Sequence, residues 1–176
     1  MSEKSTLLNT ETIAEDAQMQ LSSLLRDLHT LVLATVNASK LPDASYAPFT
    51  TDEDGNFYVY VSALAKHTGN FRRSDRVSIL LIEDESACAN YYARKRLTLN
   101  CEVEPIERDS QPFQEQIQCF HDRFGRIMDA LSGMKDFQLY RLKPIDGRLV
   151  LGFGAAFRVK GLKVDSQLSG RHRSER

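Results

Sequence analysis

Two groups of basic side chains give this sequence its means of gripping an anion. Arg94-Lys95-Arg96 stands at the head of an alternating segment, and Lys66, Arg72, Arg73 and Arg76 surround a short polar stretch. On a strand, alternation turns Arg94 and Arg96 to one face and Lys95 to the other. Two parallel guanidinium forks suit a phosphate or a pair of carboxylates. Glu83, Asp84 and Glu85 fit a solvated edge of ion pairs with the same residues equally well, so on the residues alone both readings stand.

The histidines differ in what they can do. His29 follows the first helical stretch, where an imidazole can satisfy free carbonyls. His121 lies beside an apolar stripe and reads as a boundary residue. His67 follows Lys66 between a strand and a short helix, a common location for site residues. His172 lies in Gly170-Arg171-His172-Arg173. A tail histidine between arginines is solvated by default, yet a tail can also reach across a dimer and deliver a ligand. Cys88, Cys101 and Cys119 form no CxxC pair, so neither a disulfide framework nor a zinc site is indicated, and reduced, buried thiols are expected. No GxSxG, P-loop or HExxH occurs, and Gly152-Phe153-Gly154 follows no βα unit that would make it a dinucleotide fingerprint.

The elements that must position these groups follow from periodicity. Ile13, Ala17, Leu21, Leu24, Leu25 and Leu28 recur at helical spacing, with Thr12 and Glu15 as a capping box. Strands are expected at 31–36, 44–49, 56–61 and 77–82, and through the alternating Leu97, Leu99, Cys101 and Val103. Asn37 to Asp43 and Asp52 to Gly55 read as turns, and 62–75 as a short polar helix. Ser110 opens a long helix with Pro112 in its first turn, a stripe from Phe113 to Leu131, and Gly133 at its end. Asp146-Gly147 signals a hairpin joining strands 137–142 and 148–159. Gly161 to Arg176 is polar and reads as a surface tail.

Strands that follow one another without a helix after each exclude a doubly wound sheet. The fold class is therefore α+β, an antiparallel barrel with flanking helices and a C-terminal tail. The expected organisation is one domain over 1–160, made of an N-terminal helix in 1–30 and a barrel in 31–160 that includes the long helix 110–133, followed by the tail 161–176. A hydrophobic fraction of 41% in 176 residues supports a sizeable core. Twenty-three basic against 24 acidic residues leave a net charge of -1, which gives no reason to invoke nucleic acid. No apolar run approaches the ~20 residues of a membrane span, and a cytoplasmic protein is expected.

The segment order resembles the pyridoxamine-phosphate-oxidase-like split barrels that bind FMN, and within that superfamily the haem-utilisation proteins of the HutZ/HugZ family. The resemblance rests on Leu33 to Val36, Ser45-Tyr46-Ala47-Pro48-Phe49, Ala65-Lys66-His67-Thr68-Gly69-Asn70, Val77 to Ile79, Ile82 to Glu85 and Ala93-Arg94-Lys95-Arg96-Leu97-Thr98. It continues through Glu107 to Ser110, Arg123-Phe124-Gly125, Asp136-Phe137, Gly152 to Gly154 and the tail segment Gly170 to Arg173. It implies a split β-barrel that works as a homodimer. It further implies haem bound between subunits, with His172 on the iron and Asp136 of the other subunit supporting that histidine. Arg94 or Arg96, with Lys66 or His67, would hold propionates or distal water; the same cradle suits FMN phosphate. The implied activity is oxidative haem degradation to a biliverdin-type product with iron release, fed by an external electron donor. An FMN-dependent oxidoreductase and a haem storage or transfer protein are the alternatives.

Overall fold

The computed structural model describes residues 3–168. The chain runs α1 (Glu3–Asp27), β1 (Thr30–Val36), β2 (Pro42–Pro48), β3 (Thr50–Thr51), β4 (Phe57–Ser62), α2 (Lys66–Phe71), β5 (Arg76–Ile82), β6 (Arg96–Ile106), α3 (Gln111–Phe124), α4 (Ile127–Leu131), β7 (Phe137–Gly152), β8 (Ala155–Lys160) and β9 (Lys163–Gln167). All strand pairs are antiparallel, in the order β2-β1-β5-β6-β7-β4-β3, with β8 on β7 and β9 on β8. The split originates in β7. One edge of this 16-residue strand follows β6 from Leu139 to Val150, while its other edge is shared between β4 (Phe137 to Leu142) and β8 (Asp146 to Gly152). The fold is an antiparallel split barrel.

Alternation divides the sheet into two faces. Leu31, Leu33, Val77, Ile79, Leu81, Leu97, Leu99, Cys101, Leu149, Phe157 and Val159 fill the interior with Ala17, Leu21 and Leu24 of α1. Each fully buried Leu or Phe stabilises such a core by about 1.5–3 kcal/mol. β4 is buried on both faces. Phe57, Val59 and Val61 enter this core, while Tyr58 and Tyr60 enter a second one with Phe113 and Phe120 of α3, Met128 of α4 and Leu139. α1 is clasped by the segment at β9: Gln18 Nε2 donates to the Leu162 carbonyl at 3.0 Å, and its Oε1 accepts from Val164 N–H at 2.9 Å.

Five sequence expectations are corrected. Asp146-Gly147 is not a turn. Gly147 sits inside β7, between Leu99 and Val159, where a Cβ would lie 2.1 Å from the Thr98 carbonyl oxygen. The glycine serves close backbone approach beside a bulge at Asn100/Cys101, and the turn into β8 comes at Gly152 to Gly154. The long helix is two helices, because Gly125 ends α3 at φ 69°, a region that excludes most side chains. Thr12 lies inside α1, which begins at Glu3. The expected tail starts as a strand: β9 is an edge strand and almost wholly exposed, so it carries no apolar pattern. Of the cysteines only Cys101 is buried, and burial pushes its thiol up to about 12; Cys119 is exposed.

Candidate functional site

The turn from β4 into α2 gathers most of the chemistry. Ser62 ends β4, and its hydroxyl donates to Asp136 Oδ2 at 2.8 Å, while Ala63 N–H donates to the Asp136 carbonyl at 2.7 Å. Thr68 Oγ1 donates to the Ser62 carbonyl at 2.7 Å, which fixes α2 against the same turn. Asp136 thus sits immediately before β7 with one carboxylate oxygen held. Its other oxygen has no partner among the described residues, and the residue is exposed.

A second residue holds the loop that carries Asp136. Arg108 donates to the carbonyls of Met134 (2.8 Å), Phe137 (3.0 Å) and Ser132 (3.5 Å) and to the Tyr60 hydroxyl (3.2 Å). Sequence reasoning passed over Arg108. The guanidinium forks it weighed stood in clusters, whereas this one works alone by spanning backbone carbonyls far away in sequence.

α2 lies over the inner face of β1 and β2. Asn70 Nδ2 donates to Thr35 Oγ1 at 2.9 Å and to Asp43 Oδ2 at 3.2 Å. His67 is 8% exposed; its Nδ1 lies 2.9 Å from Ser45 Oγ, and its Nε2 is buried without a partner. Burial pushes the imidazole below its ordinary pKa, and the nearby Asp43 carboxylate counters this in part. The ring is therefore neutral near pH 7. Lys66 is exposed and lines a cleft of about 350 Å³ with Arg73, Asp43 and Asn70.

The two arginines lie elsewhere. Arg96 opens β6 opposite Ile82 and Val150, and shares with Thr98 and Asn100 the outer face of the sheet. Ser45, which meets His67, belongs to the inner face of β2, and β1 and β5 intervene between β2 and β6. At about 4.8 Å per strand that is roughly 14 Å, on opposite faces. Within one chain Lys66 and His67 lie on the helix that follows the turn held by Asp136, and Arg94 and Arg96 stand apart from them. Arg94 is also engaged by its own chain: its guanidinium donates to the Glu83 carbonyl and to Glu85 Oε1 at 3.0 Å. Arg96 donates to the Arg94 carbonyl at 2.9 Å. His172 lies outside the described residues.

Of the other histidines, His121 pairs with Asp129 at 2.8 Å, and His29 packs edge-on against Phe124. Among the described residues no three His, Cys, Asp or Glu side chains converge as an ion site. A haem iron asks for no such cluster, because the porphyrin supplies four donors and the protein need add only one. Among the described residues no helix is long and apolar enough to cross a membrane.

Residues 17–151 match the Pyridoxamine 5'-phosphate oxidase family. The chain is 41% identical over 142 residues to Heme oxygenase HutZ of Vibrio cholerae, an alignment covering 81% of this chain and 80% of that protein. A crystal structure of HutZ, described there as the heme storage protein from Vibrio cholerae, superimposes with a TM-score of 0.68 at 40% identity, covering 71% of this chain and 87% of that one. The crystal structure of ChuZ from Campylobacter jejuni superimposes with a TM-score of 0.82 at 27% identity, covering 92% of this chain and 66% of the other.

Proposed function

The chain belongs to the pyridoxamine 5'-phosphate oxidase family, among relatives of HutZ, and from that premise we propose that it binds haem and degrades it oxidatively. The reaction opens the ring to a biliverdin-type tetrapyrrole and releases iron, with O2 and an external electron donor as co-reactants. The cell's cytoplasm is its place of action in this reading.

The single observation that carries the reading, beyond kinship, is the state of Asp136. A carboxylate anchored through one oxygen by Ser62 and open at the other is set to accept an imidazole N–H. Such a contact fixes the tautomer of a histidine and strengthens it as a donor to iron. His172 is the proposed ligand, reaching Asp136 of the partner subunit in a homodimer with two equivalent sites. A twofold axis also offers a remedy for the separation seen within one chain, since Arg94 and Arg96 of one subunit can face Lys66 and His67 of the other. In this arrangement these groups serve the distal side of the haem, where the neutral His67 imidazole meets distal water.

The test is a haem titration of the purified chain, followed by reduction with ascorbate in air. A Soret band that decays to a bilin spectrum is expected. A Soret band that persists points to storage or transfer. His172→Ala is expected to lose or displace the band, and Asp136→Asn to bind haem yet degrade it more slowly; an unchanged spectrum and rate in His172→Ala would remove the ligand assignment. Family membership also favours a second reading, an FMN-dependent oxidoreductase whose phosphate takes the same cationic groups. Paired flavin bands in the purified protein, in place of a Soret band, identify it.

A further inference from the structure

One row of side chains crosses the outer face of the sheet through six strands. The pairing register sets Tyr46 beside Val32, Val32 beside Leu80, Leu80 beside Thr98, Thr98 beside Arg148 and Arg148 beside Arg158. At about 4.8 Å per strand the row spans roughly 24 Å. It begins aromatic and aliphatic, with Tyr46 69% exposed, and ends in two guanidinium groups.

The cationic end is under strain from its own charge. Arg148 and Arg158 stand directly opposite on one face, and like charges so placed destabilise a sheet. Neither makes a hydrogen bond or an ion pair among the described residues. The acidic groups nearby have other partners: Asp146 accepts from Asn100 at 2.8 Å, and Asp165, whose field Arg158 shares, pairs with Lys160 at 3.0 Å. Together with Thr98, Asn100, Asp146 and Lys160, the two arginines line a cleft of about 440 Å³. An anion carrying two acidic groups would relieve the repulsion between the two forks. The apolar residues beside them, Leu80, Val32 and Tyr46, select what kind: a largely apolar molecule bearing two carboxylates on one edge.

We infer that the outer-face row Tyr46–Val32–Leu80–Thr98–Arg148–Arg158 is a binding surface for such a dicarboxylate, with Arg148 and Arg158 each taking one carboxylate. The assignment rests on the haem reading, in which the two groups are the haem propionates. It adds two residues that the segment resemblances did not contain, and it places the charge recognition on the outer face, away from α2.

The experiment titrates the full chain and its R148Q/R158Q variant with hemin and with hemin dimethyl ester, following the Soret band, with sedimentation run in parallel. Loss of two charge-assisted contacts is expected to weaken hemin binding by tenfold or more. The diester should bind both proteins alike, and the oligomeric state should not change. Unchanged hemin affinity in the variant overturns the assignment. So does an equal weakening of hemin and diester, which means the substitution acts without the carboxylates. Dissociation of the oligomer at unaltered affinity overturns it too, because a second copy then neutralises the pair. If the wild-type chain binds neither form, the haem reading and this assignment fall together, an outcome distinct from the three in which wild type binds.

Discussion

The corner around Ser62 and the outer face around Arg148 are built from similar polar side chains and are opposites in their state. At the corner nearly every polar group has a partner within the chain: Ser62 with Asp136, Thr68 with Ser62, Asn70 with Thr35 and Asp43, Arg108 with three carbonyls. On the outer face Arg148 and Arg158 stand directly opposite, and neither makes a hydrogen bond or an ion pair among the described residues. The corner is held in place by folding, with one Asp136 oxygen and the His67 Nε2 left without partners. The outer face keeps two cationic groups without an ion pair among the described residues, open to an anionic ligand.

The largest effect on this comparison should come from the frame that both regions share. Gly147→Ala drives a methyl group into the Thr98 carbonyl and within 3.1 Å of Leu99 Cα. Backbone cannot yield as a side chain does, so a loss of about 3 kcal/mol or more is expected, together with separation of β6 from β7, seen as a lower urea midpoint. Breaking the corner comes next. Arg108→Ala leaves the Ser132, Met134 and Phe137 carbonyls without their shared donor, and about 2 kcal/mol should be lost. Arg108→Lys should recover only part of it, because a point charge cannot reproduce the fork.

A smaller effect follows from His67. In the unfolded chain the imidazole takes up a proton near its ordinary 6.5, whereas burial delays that uptake in the fold to lower pH. The unfolded state therefore binds more protons in between, and acidification favours it. Stability should be intact at pH 8 and decline below about pH 6.5, at a slope of no more than about 1.4 kcal/mol per pH unit. Chemical denaturation at stepped pH should show this decline flattened in His67→Gln. The smallest change sharpens the contrast. Arg148→Ala in the ligand-free chain should be neutral, or stabilising by up to about 0.5 kcal/mol, because it removes a like-charge pair and no bond. A loss of 1 kcal/mol or more would show that the arginine already has a structural partner.

Much of this was legible in the sequence, and the failures have identifiable causes. Strand alternation at Leu97, Leu99, Cys101 and Val103 gave β6 because one face is core and the other is not. The Asp-Gly signal at 146–147 misled because a glycine needed for close approach looks the same as one needed for a turn. β9 was invisible because an exposed edge strand has no buried side chains to set a period. Lys66, His67 and Asp136 could be singled out, yet their grouping around Ser62 depends on β4 pairing with β7 across 75 residues of chain, from Ser62 to Phe137. The unpartnered Nε2 of His67 depends on burial by α2 and β2 together, which no local pattern encodes.

The clasp at Gln18 bears on the order in which the chain can finish folding. Its two bonds join the first helix to residues 144 and 146 positions further on. During synthesis from the N-terminus, α1 emerges first and waits with Ala17, Leu21 and Leu24 unsealed until β8 and β9 have followed. Closure that depends on so distant a segment is slow, and it leaves apolar surface open in the meantime. β9 therefore acts as a completion check. Chains cut short before residue 162 should be met by proteases and chaperones as unfinished, even though every strand of the barrel's central ladder is already present.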